Sequence, residues 1–286
     1  MENRAVEDDL LNKIADDLHK SGFSSEMRVL KSFSGKSWET SGIASYFDKD
    51  DEKTRESDLL AYHYLEQDVG ESCDASSFFQ IVGEVKKSNK PWVIFKETPK
   101  DPWELEEGLS DLVFHDGVQR GKKRVSSFSK FLRTSGIGYQ SGWVGRGIHE
   151  SFKNPDQPSR WYPSLIGVAK AGEHELEANS WDKNKKREKP HPPYMFFVKP
   201  IVVIDGPLVA ACLDDNTNIS VEYIPYATMK FEFKTKSYNR RHYMIDVVQI
   251  NSLDQYIEFC ESRHVGLFEK MLESAGFTLT NASSRS

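Results

Sequence analysis

The chain has 286 residues, 38% of them hydrophobic, and a formal net charge of −6. That length supports one large core carrying an insertion, or two small domains, and the acidic balance excludes a surface that attracts nucleic acid everywhere, so any such contact must be local. No apolar run approaches membrane-spanning length, and the opening Met1-Glu2-Asn3-Arg4 leads into no signal-type apolar segment; a soluble cytoplasmic protein with no membrane partner is expected.

Val6, Leu10, Leu11, Ile14, Ala15 and Leu18 follow the helical period and predict a helix from about Arg4 to Ser21 with a buried stripe, stopped at Gly22. Ser25 to Phe33 and Ile43 to Phe47 read as strands, and Asp48 to Lys53 as a charged turn. The stretch Thr54-Arg55-Glu56-Ser57-Asp58-Leu59-Leu60-Ala61-Tyr62 is expected to be a strand bearing Asp58. Phe78 to Lys86 is a second strand, closed by the Ser88-Asn89-Lys90-Pro91 turn. Strand side chains alternate, so Glu84 and Lys86 share a face and Val85 points the other way. Trp92 to Phe95 is a short buried strand.

Beyond this the periodicity weakens. Glu104 to Arg133 is helical in part, and Thr134 to Pro193 mixes Gly, Pro, Ser and Trp without a sustained period, too long for an ordinary connection. Met195 to Asp205 reads as a strand buried on both faces. Val209 to Leu213, Ser220 to Ile224, Thr228 to Lys234 and His242 to Ile250 add strands, and Ser252 to Gln255 is a capping-box start to a helix carrying Tyr256, Ile257 and Cys260. The expectation is an α/β fold, a mixed sheet flanked by helices. It forms a single domain over 1–275: a core over 1–98, an insertion over 99–193, sheet-completing strands and helices over 194–275, and a flexible tail over 276–286.

Asp58, Glu84 and Lys86 carry the chemistry. Magnesium takes hard oxygen ligands and usually only one or two protein carboxylates, so Asp58 and Glu84 would suffice to anchor Mg²⁺ or Mn²⁺. Lys86 would orient or help deprotonate the attacking water and stabilise charge on phosphoryl oxygens; between two carboxylates it stays protonated, which favours the electrostatic role. A lone Glu-x-Lys is more often a solvated ion pair. This one ends an apolar strand and follows the Asp58 strand at hairpin-compatible distance.

With Ser57-Asp58, Glu84-Val85-Lys86-Lys87-Ser88 and Lys90-Pro91-Trp92-Val93-Ile94-Phe95, the chain resembles the PD-(D/E)XK nuclease superfamily, with its restriction-endonuclease-like core, and bacterial nuclease-like proteins of uncertain role within it. Ser57 stands where the motif has proline, and the resemblance covers roughly the first hundred residues. It implies a Mg²⁺-dependent endonuclease acting on DNA, in phage defence or repair. The resemblance also implies a further acid from the first helix, for which Glu7, Asp8 and Asp9 are the candidates and Glu7 the choice, at the edge of the buried stripe; acids in a first turn equally serve the helix dipole. The alternative is an inactive nucleic-acid-binding or protein-interaction module on the same fold.

Arg120, Lys122, Lys123, Arg124 and Lys130 lie in an acid-free stretch with Phe128 and Phe131, a candidate track for phosphates. Lys183 to Lys189 reads as solvated charge. Cys73, Cys212 and Cys260 lack any Cys-x-x-Cys spacing, so neither a zinc site nor a disulfide framework is expected. His115-Asp116 reads as a structural pair, and the glycines from Gly136 to Gly147 lack the strand-to-helix context of nucleotide loops. Cutting both strands of a duplex needs two sites, which leaves a homodimer or a partner protein open.

Overall fold

The computed structural model describes residues 2–70, 73–98, 112–116, 141–154, 156–180, 192–238, 240 and 242–278. Two helices come first, α1 (Glu2–Lys20) and α2 (Phe23–Ser34), followed by strands β1 (Glu39–Ser41), β2 (Ala44–Asp48), β3 (Lys53–Ser57), β4 (Leu59–Gly70), β5 (Cys73–Lys87) and β6 (Trp92–Glu97). Then come β7 (Leu112–Asp116), β8 (Val144–Glu150) and α3 (Trp161–Ala178). The chain returns through β9 (Tyr194–Asp205), β10 (Leu208–Leu213), β11 (Ile219–Tyr223), β12 (Tyr226–Glu232) and β13 (His242–Gln249), and closes with α4 (Leu253–Ala275).

Among the described residues one mixed sheet runs β1-β4-β5-β9-β13-β12-β8-β6-β10-β11, with β7 also pairing β9, and β2 and β3 form a separate hairpin. No described helix is long and apolar enough to cross a membrane.

The sequence of β9 explains its central place. Met195, Phe197, Ile201 and Val203 face one core, shared with Val29 and Phe33 of α2 and with Tyr256, Leu267 and Phe268 of α4. Phe196, Val198, Val202 and Ile204 face the other, shared with Leu165, Val168 and Ala169 of α3. A strand apolar at successive positions can be satisfied only by helices on both faces. Lys199 interrupts the first face, and its ammonium lies 3.3 Å from the carboxylate of Asp246, which also accepts hydrogen bonds from Thr228 (2.7 Å) and Tyr256 (2.9 Å). Buried charge is tolerated there because it is paired and hydrogen-bonded.

Several expectations need correction. Residues 25–33 are helical, not extended: Ser25, Val29 and Phe33, four apart, are the buried positions of α2, the spacing of a helix face. The α1 stripe is exposed, with Leu10, Leu11, Ile14 and Leu18 all facing solvent. Residues 99–193 do not form an excursion in their described parts, because β7 pairs β9, β8 pairs β6 and β12, and α3 covers the sheet. Residues 104–111 and 117–133 lie outside the described residues, while 112–116 between them is strand. Gly145 has a packing reason: a Cβ there would meet Met229 Sδ at 2.3 Å and Ile94 Cγ2 at 2.6 Å. Helix α4 starts as expected, but Ser252 makes no side-chain cap; Gln249 instead accepts from Asn251 N–H in the preceding turn. The helix ends at Gly276 with φ 94°, a backbone state that suits glycine. The tail from 279 lies outside the described residues. Cys212 is exposed and Cys260 buried, both free thiols.

Under α4, His63 Nδ1 and His264 Nδ1 approach to 2.8 Å, and His264 Nε2 lies 2.7 Å from Ser77 Oγ. One proton serves the pair of facing nitrogens, so the two rings cannot both be imidazolium. Burial lowers the pKa of His63, and burial together with the charges of His63 and Arg263 takes His264 well below the ordinary value. A histidine held neutral in the folded state contributes stability that is complete above its unfolded pKa, about 6.5, and is lost as pH falls below it. Urea unfolding should therefore show a falling midpoint from pH 7 to pH 5, and His63→Phe/His264→Leu should flatten that dependence; a wild-type midpoint constant across this window would contradict the assignment.

Candidate active site

The β4–β5 hairpin pairs Leu59 with Gly83, which sets Asp58, at the bend between β3 and β4, beside Glu84. Ser57 holds the bend by donating its hydroxyl to Gly83 O at 2.9 Å. Asp58 Oδ2 accepts the Val85 N–H at 2.8 Å, so the carboxylate serves a ladder donor where the strand breaks. Glu84 and Lys86 project toward α3, with a Cβ on Gly167 falling 3.5 Å from Glu84 Oε1, while Val85 enters the opposite core. The three expected residues meet at one point: Lys86 Nζ is 2.5 Å from Glu84 Oε2 and 3.4 Å from Asp58 Oδ2.

Burial raises the pKa of Glu84, Lys86 lowers it in part, and the charges of Asp58 and Glu26 raise it again. Burial pushes the Lys86 pKa down, but Glu84 and Asp58 outweigh it and the net shift is upward. Glu26 is also raised, first by burial and then by Asp58. The helix acid within electrostatic reach is thus Glu26 of α2. Glu7 lies on α1, whose carboxyl end reaches this region through a hydrogen bond from Lys87 Nζ to His19 O; twelve residues of helix place Glu7 about 18 Å from that contact. Its side chain lies outside the described residues. The signal for Glu26 was present in the four-residue spacing of Ser25, Val29 and Phe33, which also puts an acid in a helix's first turn.

Cavities flank Lys86 on both sides. One, of about 770 Å³, is lined by Lys20, Lys86, Lys87, Lys90, Lys153 and Arg160, with Glu150 its acid. The other, of about 640 Å³, is lined by the acids Glu56 and Glu84, by Lys53, Arg55, Lys86 and Arg160, and by residues of α3. Arg160 joins the walls: Nη2 donates to Ser88 Oγ (2.9 Å), Nη1 to Lys87 O (3.2 Å) and Nε to Glu150 Oε2 (3.4 Å). Glu150 Oε1 in turn accepts the backbone N–H of Arg160 at 2.7 Å and of Trp161 at 3.4 Å, satisfying open donors of α3 from a neighbouring strand. Burial works against its charge, but these bonds outweigh burial and lower its pKa. On the far wall Lys170 Nζ contacts Asp48 Oδ1 (2.7 Å) and Asp50 Oδ2 (3.0 Å), and Arg55 Nε contacts Asp48 Oδ2 (2.8 Å), which fastens the β2–β3 hairpin to α3.

Asp58 and Glu84 both contact the Lys86 ammonium, and carboxylate oxygens are the donor type that a hard divalent ion takes. No group of three or more His, Cys, Asp or Glu side chains placed to hold a metal occurs among the described residues. Arg120, Lys122, Lys123, Arg124 and Lys130 lie outside the described residues, as do the side chains of His115 and Asp116. Sequence reasoning missed Lys20, Lys87, Lys90, Lys153 and Arg160 as one wall. The Lys86-Lys87-Ser88-Asn89-Lys90 run signalled part of it; Lys20, Lys153 and Arg160 come from distant segments.

Compared with protein-family models, curated proteins and solved structures, the chain matches none.

An acid whose folded pKa is raised destabilises the fold once ionised, from its unfolded pKa upward. Glu84→Gln should therefore leave the thermal midpoint at pH 7 equal to or above wild type, whereas Lys86→Met, which leaves carboxylates facing one another, should lower it. A large loss of midpoint in Glu84→Gln would show that the ion pair, not the crowding of acids, dominates.

Proposed function

We propose that this chain is a magnesium- or manganese-dependent nuclease with a restriction-endonuclease-like core, hydrolysing phosphodiester bonds in DNA. The observation that carries the reading is the meeting of Asp58, from the bend between β3 and β4, with Glu84 and Lys86 of β5, between two cavities rich in Lys and Arg. The net charge of −6 makes these walls notable, since phosphate contacts need local cations whatever the total. DNA as the nucleic acid, and defence or repair as the setting, rest on the resemblance alone.

Asp58 and Glu84 would hold the metal, with Glu26 placed to add negative potential. A bound divalent ion supplies a polarised water and offsets charge on the phosphoryl oxygens. Lys86, held protonated by its two carboxylates, donates hydrogen bonds to the developing oxyanion rather than taking a proton. Arg160, whose guanidinium donates to three oxygens, of Glu150, Ser88 and Lys87, presents a preset positive charge at the mouth.

A second reading, an inactive nucleic-acid-binding or interaction module on the same fold, is favoured by one observation: Lys86 already contacts both carboxylates where a metal would sit. Cleavage of plasmid DNA distinguishes the two. Activity is expected with Mg²⁺ or Mn²⁺ and absent in excess chelator, with Asp58→Asn and Glu84→Gln nearly inactive and Lys86→Ala slowed by about 10²-fold or more. Cutting in chelator, or variants that cut like wild type, would refute the site; tight DNA binding with no cutting under any metal would establish the module.

A further inference from the structure

The larger cavity has a wall built by the chain leaving β8, where Glu150 and Lys153 both line it. Between them in the chain is Phe152, which does not itself line the cavity but adjoins Lys153 at its rim; it is 84% exposed and has a backbone φ of 59°. Each property is unfavourable. A side chain other than glycine is strained in the left-handed region, and an aromatic ring in water forgoes the gain of burial. Its neighbours are fixed: Ser151 N–H donates to Pro91 O at 2.9 Å, and Glu150 is buried against Arg160. Strain held in place by ordered surroundings is a feature of binding sites.

Lys20, Lys87, Lys90 and Lys153 make no ion pair with a carboxylate among the described residues. A positively charged groove with an aromatic ring beside it is the composition that binds single-stranded nucleic acid, the cations following the backbone and the ring stacking on a base. In a continuous duplex each base face is already covered by its neighbours, and exposing one costs unstacking. An unpaired base has a free face.

We propose that this cavity binds a single-stranded stretch adjoining the cleavage position, with Lys87, Lys90 and Lys153 on phosphates and Phe152 stacked on an unpaired base. The proposal rests on the nuclease reading of the neighbouring site and deepens it: the substrate is DNA with a frayed end, gap or overhang rather than continuous duplex. Stacking on any base face is sequence-tolerant, so discrimination is by strand structure and not by base identity.

Fluorescence anisotropy of the full chain in chelator, where no cleavage is expected, tests this with a labelled single strand of about 20 nucleotides, longer than one such site, and a blunt duplex of equal length. Phe152→Ala should weaken single-strand binding about 5- to 100-fold and leave the duplex within about twofold, while Phe152→Trp keeps both. Lys90→Ala/Lys153→Ala should reduce the single-strand salt slope by about 1.4, two phosphates at about 0.7 each. Phe152→Gly relieves the backbone strain, so it should lose single-strand affinity with a thermal midpoint no lower than wild type, which separates a lost contact from unfolding. Unchanged single-strand affinity in Phe152→Ala and Phe152→Gly, or equal weakening on both probes, would overturn the proposal. A wild type that grips single strands through Phe152 yet never cuts with metal would sink the nuclease reading alone.

Discussion

The parallel pairing of β5 with β9, in register from Ser76 opposite Tyr194 to Lys87 opposite Asp205, is the constraint on which the other parts depend. Side chains alternate along β5, so a slip of one residue would turn Glu84 and Lys86 into the core of α2 and α4 and send Val85 and Ile81 to the cleft. The apolar positions of β5 therefore fix the site as firmly as they fix the core. Desolvating the wrong face would cost far more than any local rearrangement returns. Asp58 inherits its position from the same register through the hairpin that sets Leu59 opposite Gly83.

What could be read from the sequence follows from how local each signal is. β9 was legible because its apolar run leaves no polar face, and β5 because the apolar-rich stretch Phe78 to Lys86 runs up to a turn of Ser, Asn, Lys and Pro. Asp58, Glu84 and Lys86 could be grouped because a hairpin joins them. Helix α2 was misread, since Val29, Leu30 and Phe33 also suit a strand and only the burial of Ser25 completes the four-residue rhythm. Helix α3 was lost for a related reason: its buried face includes Ser164, Ala169, Lys170, Ala171 and Gly172, which carry little apolar signal yet let the helix lie close to the sheet. β8 is Gly-rich where Met229 and Ile94 press on Gly145, a tertiary fact invisible along the chain. The cationic wall unites residues from α1, β5, the turn after it, and the segment before α3, and no local pattern links them.

The charge distribution has a consistent logic. Three acids are spent inside: Asp246 on Lys199, Asp48 on Lys170 and Arg55, Glu150 on Arg160 and the start of α3. Beside Lys86 the balance runs the other way, and Lys20, Lys87, Lys90 and Lys153, which have no carboxylate partner among the described residues, line the approach. Total charge and local potential thus have opposite signs, which is how an acidic protein can present a cationic cleft.

The order of β5 and β9 along the chain has a consequence for biosynthesis. β5 is complete at Lys87 but its long partner begins at Tyr194, and at about 5–20 residues per second the ribosome needs on the order of ten seconds to supply it. During that interval the β4–β5 hairpin carries an open, apolar edge with Phe79, Ile81 and Val82 flanking it, the kind of edge that pairs with other chains. Parallel closure over so long a loop is also slow. The open edge of the nascent chain is therefore one place where this protein needs protection from aggregation.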